Sequence, residues 1–227
     1  MNMKHRFTDK EIRAIEKQLS CPSGDMGIEV GERMNASNMG MTLNTLKVLG
    51  IQDGHIVLEL GHGNCGHLEN LLNSAKDISY IGLEVSELMY QEAQRINHAF
   101  LAHNQASFAL YDGEHIPYPD NHFDRILTVN TLYFWKNPPI FFRELERVLK
   151  PDGICVLTFA LKSFMKQLAF VGERFTLFDQ EDIRSLVKGT SLKAIEFVNH
   201  TDHVISKSGE EVDRHYTMAK LQKCTSS

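Results

Sequence analysis

At 227 residues with a formal charge of −5, the chain is long enough for one α/β domain with an appendage and too short for two full domains. It carries no basic run, which argues against a nucleic-acid partner and toward a small-molecule substrate. No apolar stretch approaches the ~20 residues needed to span a bilayer, the start Met-Asn-Met-Lys-His-Arg is polar, and Cys21, Cys65, Cys155 and Cys224 lack a disulfide-framework spacing, so a cytoplasmic protein with reduced thiols is expected.

In chain order, Thr8 with Glu11 forms a capping box before Ile12, Ile15 and Leu19, predicting a short amphipathic helix that ends near Cys21-Pro22-Ser23-Gly24. A second helical region, about 25 to 50, carries Met34-Asn35-Ala36-Ser37-Asn38-Met39 and closes at Gly50. These residues, 1–50, read as an N-terminal helical cap on a domain covering 51–227. Strands near 56–60, 79–84, 106–111, 124–130 and 153–160 then alternate with helices near 65–75, 86–103 and 137–149, which calls for a parallel sheet with right-handed crossovers. Residues 161–178 break that rhythm with a Phe- and Leu-rich, lid-like insertion. Gln180 to Val187 reads as helix, and 192–199 and 212–221 read as two final strands. The fold class is α/β, a doubly wound and mostly parallel seven-stranded sheet.

Chemistry concentrates in Val57-Leu58-Glu59-Leu60-Gly61-His62-Gly63-Asn64-Cys65-Gly66-His67-Leu68, where an apolar run of strand length meets a carboxylate, three close glycines and an amphipathic segment. Such a strand-to-helix turn lets backbone approach a nucleotide and presents unpaired N–H groups to it. Gly61, Gly63 and Gly66 satisfy G-x-G-x-x-G, and Glu84 lies 18 residues after Gly66 at the end of the next apolar run, where doubly wound folds place an acid on ribose hydroxyls. Taken alone, that spacing favours a dinucleotide. Glu59 favours S-adenosylmethionine, because a carboxylate repels a pyrophosphate and attracts an ammonium and a sulfonium. His62, Cys65 and His67 are metal-ligand types, but crowding in one tight turn without a second ligand pair elsewhere argues against a metal.

The chain resembles the class I, Rossmann-like S-adenosylmethionine-dependent methyltransferases of the small bacterial UbiE-like kind (methyltransferase type 11). The resemblance rests on the glycine turn, Tyr80-Ile81-Gly82-Leu83-Glu84-Val85-Ser86, Asp112-Gly113-Glu114-His115-Ile116-Pro117-Tyr118 leading into Phe123-Asp124, and Arg147-Val148-Leu149-Lys150-Pro151-Asp152-Gly153, over about residues 50 to 160. It implies that the last two strands form an antiparallel pair at the end of the sheet. It also implies S-adenosylmethionine at Glu59, Gly61, His62, Gly63, Gly66, Glu84, Val85 and Asn130, with Asp112 accepting from the adenine amino group and Gly113 and Glu114 lining the same pocket. Cys65 stands where the family more commonly has glycine. Asn130 lies beside the methionine portion, and Tyr133, Trp135, Met34 and Asn38 are candidates for the acceptor side. His115, Tyr133 and His62 are candidate bases that sequence cannot rank, so no catalytic residue is assigned. The expected enzyme acts on a small molecule as a monomer or homodimer. An NAD-dependent oxidoreductase and a non-catalytic cofactor-binding protein remain open alternatives.

Overall fold

A computed structural model describes residues 8–205 and 211–224. Helix α1 (Asp9–Ser20) begins at the predicted capping box, with the Thr8 side chain accepting from Glu11 N–H and Glu11 reaching back. Helix α2 (Asp25–Leu49) ends at Gly50 in the left-handed region. Met41, Leu46 and Leu49 are buried, so the last turns of α2 belong to the core and pack on the sheet.

The sheet contains β1 (Ile56–Leu60), β2 (Ser79–Glu84), β3 (Ala106–Leu110), β4 (Phe123–Val129), β5 (Leu149–Ala160), β6 (Leu192–Ile205) and β7 (Glu211–Lys223), in spatial order β3-β2-β1-β4-β5-β7-β6. The first five pair in parallel, and β7 inserts antiparallel between β5 and β6. Helices cover both faces of the parallel part, so Leu58, Leu60, Ile126, Leu127, Val156 and Leu157 are fully buried with no polar alternation. Among the described residues no helix is long and apolar enough to cross a membrane.

Two helices are shorter than the sequence predicts. The segment 65–75 yields only α3 (Leu68–Leu72), because residues 64–67 are spent on the turn and Cys65 takes a φ of +51°. The segment 86–103 divides into α4 (Glu87–Ile96) and α5 (His98–Ala102) at Asn97. Its buried amide donates to Cys65 O at 3.1 Å and Ala93 O at 3.0 Å, a side-chain-to-backbone bond that competes with the helix. Helix α6 (Pro138–Val148) precedes β5. Residues 161–178 contain one short helix, α7 (Lys162–Met165), and α8 (Gln180–Leu186) follows. The apolar side chains here face inward: Phe164, Met165, Phe170 and Phe178 are all buried. The final hairpin is longer than predicted, because beyond residue 199 its faces carry polar side chains and hydrophobic alternation no longer marks strand.

Candidate active site

The order of the sheet reverses between β1 and β4, and their carboxyl ends open into a cavity of about 480 Å³, within the range of small-molecule sites. Its floor is the glycine turn. Gly61 has a φ of +67°, and a Cβ there would collide with the Thr131 side chain, so only glycine fits.

Glu84 helps build that turn. One carboxylate oxygen accepts from Gly63 N–H at 2.9 Å, and the other from Val85 N–H at 2.8 Å and Ser86 N–H at 3.0 Å. A carboxylate has about four acceptor positions, so capacity remains for a hydroxyl, and Glu84 and Val85 both line the cavity.

Glu59 lies deeper, 2 % exposed, where one oxygen accepts from His67 Nε2 at 2.8 Å and from the Tyr80 hydroxyl at 2.7 Å. Burial works against its charge, but His67 and Tyr80 more than offset this and hold the carboxyl below its ordinary value. Burial likewise disfavours the His67 imidazolium, and the Glu59 carboxylate overrides it to raise the imidazole. The two form a buried ion pair under the site. The Cys65 Sγ lies 3.2 Å from the Tyr80 hydroxyl, completely buried and off the cavity wall, and burial raises the thiol well above its ordinary value. His62 is not in this group, but Glu59 joins Cys65 and His67 with ligand atoms within 4.8 Å of one another. Glu59 and Cys65 each contact the Tyr80 hydroxyl, and His67 is spent on Glu59.

The His62 ring sits against Gly82, where a Cβ would come within 2.6 Å of it, and packs 4.8 Å from the Phe108 ring. Its Nδ1 is 2.7 Å from Gly63 O, its Nε2 is buried with no hydrogen-bond partner among the described residues, and burial lowers its basicity, which favours the neutral imidazole.

At the opposite end Asp112 and Gly113 line the cavity. Asp112 accepts from the N–H groups of Glu114 and His115 at 2.7 Å each and pairs with the His115 ring at 2.9 Å, and these bonds hold its carboxyl down to about 2. The Asx-type turn and the lining position are thus compatible. The Glu114 side chain turns instead to Lys136, which lines the cavity in its place. Gly66 is not on the cavity wall either. A Cβ there would sit 2.8 Å from the Asn35 amide nitrogen, so this glycine lets α2 approach the turn.

Asn130 follows β4 with a φ of +59° and lines the cavity with Met34, Asn38 and Trp135. Tyr133 does not. Its hydroxyl donates to Asn130 Oδ1 at 3.0 Å and accepts from Ala160 N–H at 2.6 Å, so it braces the loop from behind while its neighbour Phe134 reaches the cavity. Asn35, in the segment that the sequence singles out with Met34 and Asn38, also lines the wall, as do Thr42, Asn64, Thr131 and Arg174, which escape sequence reasoning. Asn35 and Thr42 share a helical face with Asn38, a legible spacing, whereas Arg174 has no local signal.

The sequence profile of a family described as "Methyltransferase domain" matches residues 58–157. The chain is 30% identical over 129 residues to the uncharacterized methyltransferase YdaC of Bacillus subtilis, covering 56% of this chain and 68% of YdaC. It is 31% identical over 108 residues to the fatty-acid O-methyltransferase of Mycolicibacterium smegmatis, covering 47% of this chain and 37% of that protein. In three dimensions it is similar to the methyltransferase chain of a Haloferax volcanii complex with the Trm112 activator, at a TM-score of 0.69 and 17% identity over 86% of this chain and 94% of that one, a likeness of fold. The shared domain, the extent of the match to YdaC and the glycine turn with Glu84 at the switch point agree: the chain belongs to the class I S-adenosylmethionine-dependent methyltransferases.

Proposed function

We propose that the chain transfers a methyl group from S-adenosylmethionine to a small-molecule acceptor. The observation that carries this reading is the pair of buried carboxylates, Glu59 and Glu84, flanking a turn whose following helix starts only at Leu68 and lasts five residues. That wall suits a cationic nucleoside. It suits a pyrophosphate poorly, which needs a helix N-terminus rather than two carboxylates.

S-adenosylmethionine supplies an electrophilic methyl group on a sulfonium. In this reading Glu84 holds the ribose hydroxyls, Asp112 and Gly113 bound the adenine end, and the amides of Asn38 and Asn130 face the amino-acid end. Phe134 and Trp135 keep water from the reacting atoms, and the protein's contribution is chiefly orientation. Of the three candidate bases, His115 is exposed and paired with Asp112, and the Tyr133 hydroxyl is consumed by the backbone. Only His62 remains on the wall, with Nε2 turned into the protein. No base is assigned. Four unpaired cysteines, two of them buried, suit a reducing compartment such as the cytoplasm.

S-adenosylhomocysteine should raise the melting temperature while NAD and NADP at equal concentration leave it unchanged. Label should pass from methyl-labelled S-adenosylmethionine to a member of a metabolite panel. Stabilisation by NAD alone would overturn the reading.

A further inference from the structure

Resting on that reading, we infer that the acceptor is an anionic small molecule with an apolar body, its carboxylate or phosphate held by Arg174.

The charged groups on the cavity wall can be accounted for one by one. Glu59 is paired with His67, Glu84 accepts three backbone N–H groups, Asp112 is bound by His115, and Lys136 is neutralised by Glu114. Burial favours the neutral form of His62. Arg174, exposed to solvent, lines the same cavity and, among the described residues, makes no ion pair and no side-chain hydrogen bond.

Arg174 is nevertheless held firmly by its backbone. Glu16 of α1, 2 % exposed, accepts from Gly172 N–H at 3.0 Å and from Arg174 N–H at 3.1 Å with one carboxylate oxygen. Two residues on, Thr176 N–H donates to Tyr133 O at 3.0 Å, and the Phe175 ring packs 4.9 Å from Phe134. A buried carboxylate is tolerated only when hydrogen-bonded. This one is spent on the loop's backbone, leaving the nearby guanidinium uncommitted. A loop clamped on both sides of one residue presents a planar, five-donor cation suited to bidentate contact with a carboxylate or phosphate. The same cavity is lined by Leu19, Met34, Met89, Phe134 and Trp135, which calls for an apolar body on the ligand.

The test uses the whole 227-residue chain saturated with S-adenosylhomocysteine and titrated calorimetrically with 4-phenylbutyrate, phenyl phosphate and neutral 4-phenylbutanamide. Wild type should bind one or both anions at least about tenfold more tightly than the amide, the discrimination expected of one charge-assisted contact. The acid and phosphate arms identify which anion the site takes. Arg174→Gln should erase the preference, Arg174→Lys should keep part of it, and neither should change affinity for S-adenosylhomocysteine. Equal binding of all three probes by wild type, or a preference that survives in Arg174→Gln, overturns the inference. Loss of S-adenosylhomocysteine affinity in Arg174→Gln also overturns it, by assigning Arg174 to the cofactor's own carboxylate. Failure of wild type to bind S-adenosylhomocysteine at all would instead overturn the cofactor reading.

Discussion

Asn130 Nδ2 donates to Asn38 Oδ1 at 3.1 Å, joining the residue after β4 to the middle of α2 across 92 positions of sequence. The same oxygen accepts from Arg214 Nη1 at 3.1 Å, and Arg214 is in turn paired with Asp202 at 2.6 Å. One amide thus ties the N-terminal helices, the switch point and the terminal hairpin together at the wall of the site.

Asn130 combines this bond with a left-handed backbone, and two substitutions separate the contributions. Asn130→Ala and Asn130→Gly both remove the side chain, but alanine adds a left-handed penalty of about 1 kcal/mol that glycine escapes. Urea denaturation should therefore place Asn130→Ala about 1 kcal/mol below Asn130→Gly. Equal stabilities would mean that the loop relaxes out of its left-handed conformation.

Glu84→Ala removes the acceptor of three backbone N–H groups as well as the proposed ribose contact. Leaving buried donors unsatisfied costs about 1–3 kcal/mol each before water enters, so a stability loss of about 3 kcal/mol is expected alongside at least a tenfold loss of S-adenosylhomocysteine affinity. Denaturation and calorimetry on the same variant check both. A variant as stable as wild type would mean that the turn does not depend on this carboxylate.

The Glu59–His67 pair makes stability depend on pH in a defined direction. His67 is raised in the folded state, so its contribution is complete below the unfolded value of about 6.5 and is lost as pH rises through the folded value. Glu59 is depressed, so its contribution is present above about 4.3 and is lost as pH falls through its folded value. The pair therefore contributes most between about pH 4.3 and 6.5. The melting-temperature gap between wild type and His67→Gln should be widest in that window and narrow toward pH 9. The remaining histidines are common to both proteins and cancel. A gap constant from pH 5 to 9 would show that His67 is not charged in the fold.

Glu16→Ala releases the N–H groups of Gly172 and Arg174. Amide exchange at these two positions should accelerate about tenfold or more, as expected when a local opening loses one hydrogen bond's worth of protection. Exchange in β1 and β4 should remain slow. Unchanged protection at 172 and 174 would show that the loop is held by its aromatic packing alone.

The alternation of strands and helices was legible because a parallel sheet buried on both faces must be written as short continuous apolar runs, as in Ile56–Leu60 and Ser79–Glu84. The cap of α1 and the close of α2 at Gly50 were legible for the same local reason, since capping bonds span three or four residues. The wall of the cavity was legible at Gly61, Gly63, Glu84 and Asp112, where backbone conformation and strand ends constrain residue type directly.

The rest depended on contacts between distant segments. Gly66 and Tyr133 fall inside the right motifs, yet their roles are to admit Asn35 and to brace Ala160, partners 31 and 27 residues away. Arg174 and Glu16 are ordinary charged residues in sequence, and only their meeting across 158 positions makes Glu16 a clamp on the loop whose Arg174 guanidinium, among the described residues, has no ion-pair partner at the cavity. Sequence by itself determined the doubly wound sheet and the nucleotide turn, because these follow from local periodicity and backbone conformation, and the family entered only as a resemblance of its motif segments. Tertiary structure alone decided which side chains face the cavity and which charges are already satisfied, because burial and pairing depend on the whole fold packed around each group.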